Sequence, residues 1–306
     1  MLWSPTKDRV SGAHLTHFAD LARTRFGVED ADLHRWSVDS PEQFWALVWE
    51  FCGVRGERGD RVYVAPTSAN EPSTARFFPD ARLSVVENLL ARTGTNEALV
   101  AIDEIGTRRA RSWDELSSRV ASLAGALRVS GVRSGDRVAA WLPNSLEVVE
   151  VMLAAASIGA VFSSASPDFG ASGVIDRFGQ IEPVVLFAVD GYCYNGIDFD
   201  CLERLAEIRA GLPTITTTVL VRATKSSNAP KGVIDYEEFL AAGAKAPARP
   251  ERFAFDHPWY VLYSSGTTGV PKCIVHRTGG VLIQHVKEHR LHCDMREGDR
   301  VLYFTT

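Results

Sequence analysis

Nine consecutive residues, Ser264-Ser265-Gly266-Thr267-Thr268-Gly269-Val270-Pro271-Lys272, bring together four hydroxyls, two glycines and a lysine. Gly266 and Gly269 allow the backbone to approach a ligand closely and to turn its N–H groups inward, the kind of nest that holds an anion. Ser264, Ser265, Thr267 and Thr268 add hydroxyl donors, Lys272 adds positive charge, and Pro271 stiffens the exit. Every group donates and none repels an anion, so the chemistry indicated is polyphosphate binding. The alternative is a surface hairpin, because glycine, serine and threonine are ordinary turn residues. The segment is not a Walker A loop. That motif needs lysine directly after its second glycine, and here Val270 and Pro271 intervene, which disfavours a P-loop kinase or GTPase.

Other reactive residues attract less chemistry. His276 precedes Thr278-Gly279-Gly280, where a helix is expected to begin, and reads as a hydrogen-bonded junction histidine, with a place near a nucleotide as the alternative. His285, His289 and His292 are four and three residues apart and could share a helix face. No carboxylate or cysteine completes a zincin pattern, and Lys287, Glu288 and Arg290 suggest a solvated face, so no metal site is assigned. Cys273, beside Lys272, could have a lowered thiol pKa, although a small buried apolar residue on a strand is the plainer reading.

The elements that must position the loop follow from periodicity. Tyr260 to Tyr263 and Cys273 to Val275 are strands flanking it. Upstream, Ala98 to Asp103 and Arg108 to Ser112 read as a hairpin, and Ser112 with Glu115 forms a capping box. That box opens a helix whose buried stripe is Leu116, Val120, Leu123, Ala124 and Leu127. Strands Arg137 to Leu142, Ala160 to Ser164 and Val184 to Ala188 then alternate with helices Leu146 to Ile158 and Ala171 to Ile181. Such βα succession implies a parallel or mixed sheet flanked by helices. The first ninety or so residues look helical instead. Ser40, Pro41 and Gln43 combine an N-cap, a first-turn proline and a capping box, with Phe44, Leu47, Val48 and Phe51 as the buried stripe and Gly53 as the stop. Residues 54–80 read as a loop-rich connection. The tetrapeptide Gly-Asp-Arg-Val recurs at Gly59, Gly135 and Gly298 as one turn-into-strand solution with its charged pair solvated, and the last copy is expected to start a strand from Val301 to Thr306.

Composition bounds the rest. The chain has 306 residues, 45% apolar and 23% charged, with a net charge of −5, a globular balance without the basic surface of a nucleic-acid binder. Five scattered cysteines form no C-x-x-C pair and no disulfide framework, which fits a reducing compartment. The longest apolar run, Val151 to Phe162, is too short to span a bilayer. Neither a secretion signal nor a transit peptide opens the sequence. A soluble cytoplasmic protein with no membrane or nucleic-acid partner is expected.

The loop resembles the phosphate-binding signature of the adenylate-forming superfamily of acyl-CoA synthetases, luciferases and peptide-synthetase adenylation domains. The continuation from Cys273 to His285, the ending from Gly298 to Thr306, and the segments Leu15 to Phe18, Trp36 to Trp45 and Phe77 to Leu90 are similar to the acetyl- and acetoacetyl-CoA synthetase branch, and within it to the acetoacetyl-CoA synthetases. The resemblance implies an α/β fold comprising a helical N-terminal segment, 1–92, and an AMP-binding domain, 93–306, that is incomplete on its C-terminal side. It implies a two-step ligase in which acetoacetate and ATP give acetoacetyl-AMP and pyrophosphate, after which the thiol of coenzyme A displaces AMP. Carried over residue by residue, the ATP phosphate contacts are Ser264, Ser265, Gly266, Thr267, Thr268, Gly269 and Lys272, acting with Mg2+ on the β- and γ-phosphates. The adenylation lysine is expected beyond residue 306, so the chain alone is expected to be inactive. In resembling enzymes the loop matching Asp190 to Gly196 often carries basic residues for coenzyme A. Cys193 and Ile197 stand there instead, which leaves coenzyme A contact and an ordinary surface turn both open. An acetyl- or propionyl-CoA synthetase fragment and a non-catalytic nucleotide-binding module are the alternatives.

Overall fold

The structure is a computed structural model that describes residues 3–68, 70–224, 230–264, 269 and 271–302. The chain divides into two compact units, Ser84–Phe253 with His257–Thr278, and Met1–Leu83 with Ala254–Asp256 and Gly279–Thr306.

The larger unit is built on a mixed sheet of seven strands: β1 (Arg137–Trp141), β2 (Val161–Ala165), β3 (Val185–Val189), β4 (Thr217–Val221), β5 (Ile234–Asp235), β6 (Pro258–Ser264) and β7 (Lys272–Arg277). Their order across the sheet is β5-β4-β3-β1-β2-β6-β7. All neighbouring pairs are parallel except β6 with β7. The carboxyl ends of β1 to β6 therefore share one edge of the sheet, the edge at which open α/β sheets bind ligands. Every residue of β3 is buried, the continuous apolar run of a strand covered on both faces.

The elements read from periodicity are present with small shifts at their ends. The capping box is made on both sides, Ser112 Oγ accepting from Glu115 N–H and Glu115 Oε2 from Ser112 N–H, and it starts the helix Trp113–Val129 with its expected stripe buried. That helix crosses Tyr236–Gly243 so closely that a Cβ added at Gly243 would fall on the Ser122 carbonyl. Glycine is required there by space, not by a turn. Fully buried Glu150, on the helix Leu146–Ser157, accepts from Arg111 Nε, Arg119 Nε and the Tyr236 hydroxyl at 2.8, 2.9 and 2.6 Å. Such pairing offsets the cost of burying the carboxylate away from water. The helix expected to reach Ile181 is Ala171–Phe178, ending where the Gly179 N–H bonds to Ile175 O.

The smaller unit contains the helices Lys7–Ser11, His14–Phe26, Leu33–Asp39 and Pro41–Phe51 around Phe18, Trp36, Trp49 and Phe78. Pro41–Phe51 begins at the expected proline, but the expected capping box is absent. Ser40 ends the preceding helix and makes no side-chain cap, while Gln43 Oε1 accepts from the Trp36 indole N–H at 2.9 Å. Satisfying a largely buried indole donor takes precedence over an exposed helix end.

At the three Gly-Asp-Arg-Val sites the glycines have φ of 73°, 89° and 90°. The charged pairs are not simply solvated. Asp136 and Asp299 accept the N–H of Arg133 and Arg296, three residues upstream, and Arg137 donates to the carbonyls of Ile181 and Glu182. A strand follows the first two copies. After the third, Val301 and Leu302 are exposed and lie in no strand, contrary to expectation, and residues 303–306 lie outside the described residues.

Candidate functional site

β6 is an apolar strand laid parallel to β2, so Ser264 at its end reaches the shared carboxyl edge of the sheet. The chain then returns as β7 with Tyr263 opposite Cys273 and Ser264 opposite Lys272. Directly opposed residues of an antiparallel pair project from the same face, so the Ser264 hydroxyl and the Lys272 ammonium flank one side of the mouth of the connection 265–271. Ser264 is half-buried and Lys272 exposed. Gly269 is exposed at φ 100°, and a Cβ added there would meet nothing within 4 Å, so glycine is needed for its backbone conformation alone. Ser265, Gly266, Thr267, Thr268 and Val270 lie outside the described residues. Of the seven candidate contacts, Ser264 and Lys272 are brought together, and Gly269 lies in the connection between them.

Several supporting residues were missed by sequence reasoning. The Ser163 hydroxyl, buried on β2, donates to Val261 O at 2.9 Å and lies 3.2 Å from the Tyr263 hydroxyl oxygen, tying the hairpin to the parallel sheet. Burial pushes the Tyr263 phenol up to about 12. The Phe178 ring, at the end of its helix, sits 6.5 Å from that of Tyr263. Two residues on, Gln180 Nε2 donates to Pro271 O at 2.9 Å, and the Cys273 thiol donates to Gln180 Oε1 at 3.4 Å. Gln180 thus bonds on both sides of Lys272. No local pattern marks it, because its partners lie about ninety residues away.

Cys273 is half-buried, and burial holds its thiol above the ordinary range, against the lowering that a neighbouring lysine would produce. His276 is on β7 itself rather than at the junction that follows, with its ring on Tyr260 at 4.8 Å. The segment after Asp190 is a hairpin, Gly191–Tyr194 with Ile197–Asp200, closed by Asn195 and Gly196 at φ 52° and 73°. Gly196 N–H donates to Glu104 Oε1 at 3.0 Å. The Glu104 carboxylate is thus the partner of that turn amide. The His285 and His289 rings stack at 6.1 Å and His292 pairs with Glu288, and among the described residues no group of three or more His, Cys, Asp or Glu could hold a metal ion. No described helix is long and apolar enough to cross a membrane.

Known proteins resemble the chain in sequence and in fold. The chain is 45% identical over 310 residues to acetoacetyl-coenzyme A synthetase of Rhizobium meliloti (strain 1021), covering all of this chain and 47% of that protein. It is 41% identical to acetoacetyl-CoA synthetase of Danio rerio, with the same coverage. The solved acetoacetyl-CoA synthetase from Streptomyces lividans superposes with a TM-score of 0.90 at 43% identity, covering 99% of this chain and 47% of that one. The chain spans about half the length of the curated relatives it matches. The profile of the family described as AMP-binding enzyme matches residues 86–306, which takes in the whole seven-stranded sheet and the hairpin of Ser264 and Lys272. The chain belongs to the AMP-binding enzyme family.

Proposed function

We propose that this chain supplies the ATP-phosphate grip of an acetoacetate–CoA ligase. The observation that carries the reading is the register of Ser264 opposite Lys272, which sets a hydroxyl and a cation at the mouth of a glycine- and hydroxyl-rich connection on the ligand-binding edge of the sheet. The relatives, which are acetoacetyl-CoA synthetases by name, support acetoacetate as the acid. We assign residues 1–92 to an N-terminal segment and 93–306 to the AMP-binding part, and we assign Ser264, Ser265, Gly266, Thr267, Thr268, Gly269 and Lys272 to the phosphates.

In the proposed reaction the acetoacetate carboxylate attacks the α-phosphorus of ATP and pyrophosphate leaves with the electron pair of the broken P–O bond. The coenzyme A thiolate then attacks the acyl carbonyl carbon and expels AMP. The loop's part is electrostatic. Lys272 and the hydroxyls hold the β- and γ-phosphates in line and stabilise the charge that gathers on departing pyrophosphate. Magnesium enters as MgATP, carried by the nucleotide's own phosphates.

Calorimetric titration of the chain with MgATP tests the phosphate grip. Lys272→Ala is expected to weaken binding about tenfold, the size of a lost charged hydrogen bond. Equal affinity in the two proteins would remove the loop from the function. The acid is tested by grafting this chain in place of the matching half of the Streptomyces lividans relative and measuring ATP–pyrophosphate exchange. Exchange driven by acetate or propionate but not by acetoacetate would overturn the substrate.

A further inference from the structure

We propose that Gln180 is a positioning residue for the phosphate loop, a clamp that holds the exit of the loop, and with it Lys272, at the mouth of the hairpin. The proposal rests on the reading of that loop given above and adds to it the residue that fixes its geometry.

Gln180 follows the end of the helix Ala171–Phe178. Its Nε2 has two hydrogens, and both are used. One goes to Asp176 O at 2.7 Å, a carbonyl in the last turn of the helix, and the other to Pro271 O at 2.9 Å, the residue just before Lys272. Its Oε1 accepts from the Cys273 thiol, just after Lys272. The side chain therefore spans from a helix terminus to both sequence neighbours of the lysine, while Phe178 packs on Tyr263 from the same helix end.

The lysine needs such a hold. Lys272 is the first residue of a strand that, among the described residues, pairs with another strand on one side only, and it carries a long stem with much rotamer freedom. Strand ends fray most readily. A ligand that must first order the mouth of the loop binds more weakly by the cost of ordering it, so a clamp that orders it beforehand raises affinity without touching the ligand. Gln180 is exposed, so its bonds add little to global stability, and its effect is local.

The test uses Gln180→Ala in the full chain with two readouts. The first is the alkylation rate of Cys273 without nucleotide, resolved residue by residue by mass spectrometry, with Cys193 and Cys293 as internal references. Loss of the clamp is expected to speed Cys273 about three- to tenfold, the range of one or two exposed hydrogen bonds, and to leave the references unchanged. The second is the dissociation constant for MgATP, expected to rise about three- to tenfold in the wild-type background and to change less than about twofold in Lys272→Ala, because the clamp acts through that lysine. Unchanged Cys273 reactivity overturns the clamp. Faster alkylation with unchanged MgATP affinity overturns its positioning role, as does an equal loss of affinity with and without Lys272. If the wild-type chain binds no MgATP, the phosphate-grip reading itself fails, whatever Cys273 does.

Discussion

Two hairpins sit at the carboxyl edge of the sheet in the larger unit, and they are built to opposite ends. The first, Gly191–Tyr194 with Ile197–Asp200, turns in two residues with Asn195 and Gly196 in the left-handed region, and its Gly196 amide is taken by the Glu104 carboxylate. Behind it Asp190, 1% exposed, accepts from Ala223 N–H, Thr224 N–H and Thr224 Oγ1 at 2.7, 3.1 and 2.9 Å. The second, β6 with β7, opens into residues 265–271 between a serine and a lysine, with no carboxylate in the segment. A tight turn consumes its own donors and ends a strand. The longer connection is rich in hydroxyls and glycines by sequence and ends on a lysine, the composition that the proposed phosphate grip requires. The same sheet edge therefore carries one hairpin tied into the fold and one to which we assign a ligand.

Breaking the first hairpin gives the largest expected effect. Asp190→Ala strips a buried acceptor from two backbone amides and a hydroxyl and should cost about 3 kcal/mol in urea unfolding. MgATP affinity measured well below the unfolding midpoint should be preserved. A parallel loss of affinity would show that the two hairpins are coupled. Next is Lys272→Glu, which places at the second hairpin the kind of charge that Glu104 brings to the first. It should weaken MgATP by about 2 kcal/mol, roughly thirtyfold by calorimetry, with stability within about 0.5 kcal/mol of wild type.

Gly196→Ala puts a Cβ on a residue at φ 73° with nothing within 4 Å, so only backbone strain is added. A loss of about 1 kcal/mol in thermal or urea unfolding is expected, with no change in MgATP binding. A loss above about 3 kcal/mol would point to a contact beyond the turn. The smallest effect at neutral pH is expected at Tyr263, where the change appears only on going alkaline. The Tyr263 phenol is raised to about 12 against about 10 in the unfolded chain, so the unfolded state releases its proton first. The stabilisation from that raised pKa is fully present below pH ~10 and is lost as pH rises through about 12. Tyr263→Phe should change stability by less than about 1 kcal/mol at pH 7 and should flatten the decline measured between pH ~10 and ~12.

Much of the framework was legible before any coordinates. The Ser112–Glu115 capping box, the buried stripe behind it and the alternation of strands and helices all rest on interactions within a few residues, and local chemistry determines them wherever the segment lies. The same holds for the left-handed glycines of the Gly-Asp-Arg-Val turns. Local reasoning failed where a distant partner outbid the near one. Gln43 turned to the Trp36 indole instead of capping its helix, and Arg137 bonded to carbonyls more than forty residues away instead of staying solvated.

The sequence by itself determined which residues could meet a polyphosphate and that they lie between two strands, since hydroxyls, glycines and a lysine carry that chemistry in their types and spacing. Only the tertiary structure decided that this connection leaves from the shared carboxyl edge, that Ser264 faces Lys272, and that Gln180 and Ser163 brace the hairpin from other elements. Strand order and cross-strand register are set by packing between segments far apart in the chain, and no window of sequence contains both partners of those contacts.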